Sequence, residues 1–233
     1  MDYQETDNNW IEPFDNRIET DVLKPANLKE MVRGIKYFIL FYDGFQCTDF
    51  MVFAYDSEVE EWFPYTNDMF FTNSFCNYHP SPIKMEVLGK EFCFPTAEHA
   101  FHANKCVNVE DVDKFVDPNL TADDAKKVGR QITLREDWEE VKRNVMRSVL
   151  LKKYEQNSDL LEILLKTGSA YLVEHLPEKG DAFWGDDHDG SGQNVLGQLL
   201  MEVREELGTE LVPFRGENEL VKELYASGSA IYL

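Results

Sequence analysis

The amino-acid sequence predicts an α+β fold that is predominantly helical and carries a small β-sheet. In the first half, short runs rich in aromatic and β-branched residues predict strands at residues 35–42, 51–55, 61–65 and 69–71. In the second half, apolar residues recur every three or four positions, which is typical of helices that pack on a core. The chain has 233 residues, of which 43% are hydrophobic and 13% aromatic, and this is enough apolar material for a globular core.

Residues that commonly cap helices mark where the predicted helices begin. Thr96 and Thr121 are candidate N-caps, and Thr133 opens a capping-box pattern with Glu136. Glycines follow several of the apolar stretches and predict where those helices end. The predicted helices run over residues 96–106, 121–128, 133–149, 158–167 and 195–207.

The predicted elements divide the chain into three parts. Residues 1–34 form an acidic lead-in that is interrupted by Pro13 and Pro25, and residues 208–233 form a weakly patterned tail. The domain between them spans residues 35–207, with an insertion at about 44–68. The acidic, β-rich N-terminal part is therefore expected to be an extension of a mainly helical domain.

The charge distribution argues against tight, non-specific binding of nucleic acid. The formal net charge is −21, and residues 1–70, 71–130 and 131–233 carry −10, −2 and −9. A protein that grips duplex phosphates shows the opposite balance. A nucleic-acid substrate that meets a small, locally positive pocket stays compatible with this pattern, as does a simple solubilising surface.

The expected location is the cytoplasm. The N-terminal residues are acidic and lack the pattern of a signal peptide, and no apolar run approaches the length of a membrane span. The four cysteines show no CxxC spacing, so reduced thiols are expected.

One helix carries an acid, an imidazole and an amine on the same face. Glu98, His102 and Lys105 are four and three residues apart, which places them within roughly 60° of one another around the helix. This set is suited to catalysis, and it is equally compatible with a solvated face that has a Glu98–His102 pair. A lysine that acts as a nucleophile must be partly neutral, and His102 is a candidate for the cationic neighbour that lowers its pKa.

A second candidate site is the segment 183–194, which combines Trp184 with carboxylates and glycines. A calcium loop that begins at Asp187 fails because position 12 is Gln198, where a bidentate glutamate is needed. His99 and His102 do not form a zinc motif. Neither a metal ion nor a cofactor is therefore expected.

Two further pairs are candidates for binding. Arg130 and Arg135 are suited to a phosphate or to solubilising the surface. Asn77 and Tyr78 offer an amide and a stacking ring, or simply core packing.

Taken together, these segments resemble the YbiA-like family, also called NADAR. The motifs that carry the resemblance lie, in the family's order, at residues 75–78, 95–105, 129–130, 134–139, 172–175, 184–186 and 194–197, followed by Leu200 and Met201. The chain departs from the family pattern at Cys76 and His102 and in the insertion at 44–68.

The resemblance implies an N-glycosidase, which cleaves a bond between ribose C1 and a nitrogen. Family substrates include ADP-ribose attached to guanine and ribosylated intermediates of riboflavin synthesis. The implied catalytic residues are Glu98, Lys105 and Asp186, and the implied substrate-binding residues are Asn77, Tyr78, Arg130, Arg135, Trp184, Gly185 and Asn194.

The chemistry of such a cleavage fits these residue types. Loss of the base builds positive charge at C1, which the carboxylate of Glu98 can stabilise. Lys105 can instead attack an opened ribose and form a Schiff base.

We expect removal of ADP-ribose from guanine in nucleic acid or nucleotides. The alternatives are hydrolysis of a free nucleotide, such as a riboflavin precursor or an NAD-derived metabolite, a non-catalytic module that binds ADP-ribose or NAD, and an acidic decoy for a basic protein.

Overall fold

The computed structural model describes residues 38–41, 52–56, 61–66, 74–176 and 178–208. The strands are β1 (Phe38–Phe41), β2 (Val52–Asp56), β3 (Glu61–Thr66), β4 (Pro80–Val87), β5 (Lys90–Thr96) and β6 (Tyr171–Glu174). The helices are α1 (Ala97–Ala103), α2 (Val109–Val112), α3 (Ala122–Gly129), α4 (Trp138–Gln156), α5 (Ser158–Lys166) and α6 (Val195–Leu207), and a 3-10 turn spans Asp113–Val116. The α+β fold class is confirmed.

The described strands form a four-stranded and a two-stranded sheet. The larger sheet has the order β3-β2-β1-β6, in which β1 pairs antiparallel with β2 and parallel with β6. The smaller sheet is the β4–β5 hairpin, whose turn residues Leu88 and Gly89 both have positive φ. The hairpin leads directly into α1, so it fixes where that helix begins.

The strands predicted near residues 35–42, 51–55 and 61–65 are confirmed, and the last two lie in the predicted insertion at 44–68. The predicted strand at 69–71, the lead-in at 1–34 and the tail beyond Gly208 fall outside the described residues. Strands β4, β5 and β6 were not predicted, although buried and exposed residues alternate along β4.

The helices confirm four of the five predicted starts within one residue. The exception is Thr133: α4 begins at Trp138, after a turn in which the Trp138 N–H donates to the Arg135 carbonyl. In that turn the Arg135 N–H donates to the Lys105 carbonyl, and its guanidinium binds Asp137. Among the residues described, no helix combines the length and the apolar character needed to span a bilayer.

Two apolar clusters include residues of α1. One joins α4, α5 and α6 to β1 and β6, with Ile39 and Leu172 fully buried. The other joins the β4–β5 hairpin to α1 and α3, with Phe94 and Ala100 fully buried. Helix α1 therefore lies between two cores, and all seven of its residues are buried.

A buried lysine anchors the segment that precedes the hairpin. Lys153 on α4 is fully buried, and its Nζ donates to the carbonyl oxygens of Ser74 (2.9 Å) and Cys76 (2.8 Å). The next residue, Asn77, accepts the Glu98 N–H at its own carbonyl. Lys153 thus couples the longest helix to the first turn of α1.

Replacement of Lys153 should destabilise the fold. In Lys153→Met two buried carbonyls lose this donor, so we expect a loss of about 3 kcal/mol in the free energy of unfolding, measured by denaturant titration. The control is Lys152→Met, since the neighbouring Lys152 side chain is largely solvent-accessible and forms a surface ion pair with Glu155. The free energy of unfolding of this variant should fall by less than about 0.5 kcal/mol. Equal losses for the two variants would contradict this role.

Candidate active site

The candidate site is built on α1, whose start is fixed by backbone and side-chain bonds. Thr96 is the N-cap, as predicted, and its Oγ1 accepts the His99 N–H. The Glu98 N–H donates to the carbonyl of Asn77 at 3.0 Å. Glu98 therefore enters the first turn of the helix in a fixed position, with only 6% of its surface exposed.

Glu98 and His102 form the pair that their spacing predicts. His102 Nε2 lies 2.9 Å from Oε1 of Glu98, and both side chains are buried. Burial is the largest effect on the pKa of His102 and lowers it. The hydrogen bond to Glu98 raises this pKa, whereas the charges of Lys105 and Lys126 lower it further. The ring is then neutral near pH 7 and donates Nε2–H to the carboxylate. His102 orients Glu98 and leaves its second oxygen for other partners.

A glycine makes room for the His102 ring. A Cβ atom at Gly129, the last residue of α3, would overlap His102 Nδ1. That nitrogen is buried and has no hydrogen-bond partner among the described residues. Helix α3 therefore packs closely against the imidazole and holds it next to Glu98.

Lys105 follows the end of α1 and lies against two aromatic rings. The helix ends at Ala103, and a tighter turn, in which the Lys105 N–H donates to the His102 carbonyl, carries the chain on. Lys105 Nζ lies 5.3 Å from the centroid of Phe101 and 5.3 Å from that of Trp138. Such contacts attract the ammonium form, yet they also exclude water from it.

The surroundings of Lys105 lower the pKa of its ammonium group to about 8. The largest cause is burial, and the charges of Arg130 and Lys126 act in the same direction, while those of Glu98 and Glu139 oppose them. The sequence hypothesis that His102 supplies the lowering charge is wrong, because the buried imidazole is neutral. At pH 7 about a tenth of Lys105 is a neutral amine, whereas an ordinary lysine has less than about a thousandth.

Trp184 joins the same aromatic group from a distant part of the chain. Its ring meets Phe101 edge-on, at 5.4 Å between centroids, and Phe183 at 4.8 Å. Phe101 also lies 5.0 Å from Trp138. The spacing of Phe101 four residues before Lys105 is the signal that could have identified it from the sequence.

Asp186 holds the loop that carries Trp184. The Asp186 side chain is fully buried, and its Oδ1 accepts the N–H groups of Leu176 and His188 while Oδ2 lies 2.8 Å from His175 Nδ1. Both oxygens of the carboxylate thus have partners within the protein. The Asp186 carboxylate therefore helps to hold the backbone of this loop in place.

Asn194 and Gly185 also lie in that framework. The Asn194 side chain forms two hydrogen bonds with the backbone of β6: its Oδ1 accepts the Glu174 N–H, and its Nδ2 donates to the Leu172 carbonyl. A Cβ atom at Gly185 would lie 2.9 Å from the Glu174 carbonyl oxygen. These two residues thus hold the Trp184 loop against β6.

Asn77 has an available acceptor close to Glu98. Its side chain is only 4% exposed, its Nδ2 lies near the Met146 sulfur, and its Oδ1 has no partner among the described residues. Buried acceptors without a donor are rare in folded proteins. The Asn77 oxygen is therefore suited to a donor that a ligand supplies. Tyr78 follows it, with Lys126 Nζ at 5.8 Å from the ring centroid.

The two predicted phosphate ligands differ in their surroundings. Arg135 binds Asp137 through both Nε (2.6 Å) and a terminal nitrogen (2.9 Å). Arg130 is exposed and forms no ion pair with any described residue. Its positive charge lowers the pKa of Lys105. No group of three metal-ligating side chains was found among the described residues.

Comparison with known proteins places this chain in a family. Residues 63–208 match the NADAR domain model, which is more than half of the chain, and so the chain belongs to the NADAR family. The resemblance stated from the sequence motifs is thereby confirmed.

Three relatives illustrate the match. N-glycosidase YbiA of Escherichia coli strain K12 is 42% identical over 141 residues, covering 58% of this chain and 82% of that protein. N-glycosidase Npun_R5314 of Nostoc punctiforme is 37% identical over 150 residues, covering 63% and 88%. Riboflavin biosynthesis protein VVA0006 of Vibrio vulnificus is 39% identical over 136 residues, covering 56% of this chain and 34% of that protein.

The fold agrees with a solved structure. The NMR structure of E. coli YbiA aligns with a TM-score of 0.50 and 39% identity, covering 62% of this chain and 82% of the other. Since two of these three relatives are named N-glycosidases, the prediction of an enzyme class that acts on N-glycosyl bonds is confirmed.

Substitution of Gly129 should disturb His102 specifically. In Gly129→Ala the added methyl group overlaps the imidazole, so we expect a loss of about 2 kcal/mol in the free energy of unfolding. His102→Ala opens the same space, and the double variant should therefore be no less stable than His102→Ala alone. A double-mutant cycle from denaturant titrations measures this coupling, and additive losses would contradict the contact.

Proposed function

We propose that this protein is an N-glycosidase that removes ADP-ribose from guanine by hydrolysing the bond between ribose C1 and the base nitrogen. The observation that carries the proposal is the partly neutral Lys105 amine beside the buried Glu98 carboxylate. Membership in the NADAR family and the N-glycosidase names of its relatives support the same class.

Glu98 has the chemistry that bond cleavage requires. When the ribose ring opens, the bond between C1 and the base nitrogen becomes an iminium, and a carboxylate nearby stabilises its positive charge. His102 occupies one oxygen of Glu98 and so directs the other. Because the site is shielded from water, this interaction is stronger than it is in solvent.

Lys105 has the chemistry of a nucleophile. Its neutral amine adds to C1 of the opened ribose and expels the base nitrogen, which takes up a proton, so that an imine joins Lys105 to the sugar. Water then hydrolyses the imine and regenerates the amine. The net reaction adds one water across the C1–N bond.

The aromatic group supplies a surface for the leaving base. Trp184 is partly buried, and a nucleobase that stacks on such a ring gains about 1–3 kcal/mol. The Asn77 Oδ1 atom offers an acceptor for an N–H or O–H group of the ligand.

A free nucleotide is the second candidate substrate. The net charge of −21 opposes the approach of a long polyanion, and one relative is named a riboflavin biosynthesis protein. Incubation with ADP-ribosylated DNA and, separately, with riboflavin precursors and NAD, followed by mass spectrometry, distinguishes the substrates. Release of ADP-ribose with restored guanine supports the first proposal. Binding of ADP-ribose with no product from any substrate would show a non-catalytic module.

Loss of either reactive side chain should abolish base release. We expect Lys105→Ala and Glu98→Gln each to lower the rate at least about 100-fold while the circular dichroism spectrum stays unchanged. Borohydride should trap a sugar adduct on the wild-type protein but not on Lys105→Ala. The control Lys114→Ala removes an exposed lysine paired with Asp111 and should keep full activity. Full activity in either active-site variant would refute the mechanism.

The rate should rise with pH through the pKa of Lys105. Because that pKa is about 8, the neutral fraction grows from about a tenth at pH 7 to about nine tenths at pH 9. Initial rates at saturating substrate should therefore increase several-fold over this range. A rate that is constant or falls between pH 7 and 9 would argue against a neutral amine as the attacking group.

A further inference from the structure

Most cations of the described residues are paired with carboxylates. Ten lysines and arginines have a carboxylate oxygen within 4.0 Å: Lys90, Lys114, Lys127, Arg135, Lys142, Arg143, Arg147, Lys152, Lys166 and Lys179. Lys105, Lys126 and Arg130 have none among the described residues; Lys84 and Arg204 also have none, but the Arg204 guanidinium is buried and donates to Thr167 and Ala170. In a protein with a net charge of −21, three unpaired cations in one place call for an explanation.

The three cations meet at the junction of α1 and α3. Lys126, Gly129 and Arg130 are separated by three and one residues, so they lie on one side of the last turn of α3. That side contacts α1, because Gly129 lies directly against the His102 ring. Lys126 Nζ also lies over the Tyr78 ring at 5.8 Å from its centroid. Lys126 is thus held at the edge of the candidate site.

The charges of these groups act on one another. Lys126 lowers the pKa of both Lys105 and His102, and Arg130 lowers that of Lys105 as well. On the other elements around Lys105, the groups that oppose this effect are Glu98 and Glu139. Mutual repulsion among three cations is unfavourable unless an anion lies between them.

The helix dipole does not explain the arrangement. A cation in the last turn of a helix is favourable, and this holds for Lys126 and Lys127 alike, so the dipole does not distinguish them. Lys127 additionally pairs with Asp123 and Asp124. The next lysine along the chain therefore has two carboxylates, while Lys126 has none among the described residues.

We propose that Lys126, together with Arg130, binds a phosphate or diphosphate that is attached to the ribose of the substrate. This inference rests on the proposed function and changes the phosphate ligands expected from the sequence, since Arg135 is engaged in a bidentate pair with Asp137. Lys126 thereby selects phosphorylated ribosides over unphosphorylated ones. Its position beside Lys105 places the phosphate close to the reacting sugar.

The test measures binding of ADP-ribose by calorimetry to the full-length chain and to three variants. Lys126→Gln should weaken binding roughly tenfold, Lys126→Arg should keep it, and Lys127→Gln should change it by less than about twofold. Higher salt should reduce the difference between the wild type and Lys126→Gln. An unmodified oligonucleotide should not compete with ADP-ribose, which separates the sugar-linked phosphate from backbone phosphates.

A pH profile supplies a readout that a merely structural role would not change. Removal of the Lys126 charge should raise the pKa of Lys105, so the rise in rate should shift to higher pH in Lys126→Gln but not in Lys127→Gln. Equal behaviour of the two glutamine variants, competition by the oligonucleotide, or no binding of ADP-ribose to the wild type would overturn the proposal.

These outcomes separate the two proposals. If the wild type cleaves its substrate and Lys126→Gln binds ADP-ribose normally, the role of Lys126 is refuted while the N-glycosidase proposal stands. If binding depends on Lys126 but no substrate is cleaved, the phosphate site stands and the proposed activity is refuted.

Discussion

The burial of three ionisable side chains on one short helix is the constraint around which this structure is arranged. Every residue of α1 is buried, and Glu98, His99 and His102 are among them. Such groups are tolerated in a core only when hydrogen bonds satisfy them. His99 donates from Nε2 to the Leu120 carbonyl and faces the Thr96 hydroxyl at Nδ1, while His102 donates to Glu98. Partners from several segments are therefore required to meet at this helix, and their meeting creates the candidate site.

The local features of α1 were predictable because they depend on short sequence distances. Thr96 is the N-cap, and the four-residue spacing of Glu98 and His102 gives their contact directly. The end of α6 at Leu207, directly before Gly208, follows from the same kind of local signal. The Arg135–Asp137 pair also lies within two residues, yet it overrides the capping pattern at Thr133 and delays the start of α4.

The features that the sequence did not predict depend on contacts between distant segments. Strand β6 has only four residues and is defined by its parallel partner β1, more than 100 positions earlier. The carboxylate of Asp186 and the amide of Asn194 are suitable for a ligand as isolated residue types. The fold occupies both of them with backbone groups of the Trp184 loop and β6. Both side chains therefore help to fix where the Trp184 loop lies.

An acidic protein can present a locally positive site when the cations at that site have no carboxylate partners. The Debye length at physiological ionic strength is about 8 Å, so distant carboxylates have little effect on a ligand that has reached the surface. What a ligand encounters is set by which charges are neutralised within a few ångströms. Ion pairs neutralise most described cations, whereas Lys105 and Lys126 have no carboxylate partner among the described residues and lie beside aromatic rings. The position of the unpaired charges, more than the net charge, therefore determines which anions this protein can bind.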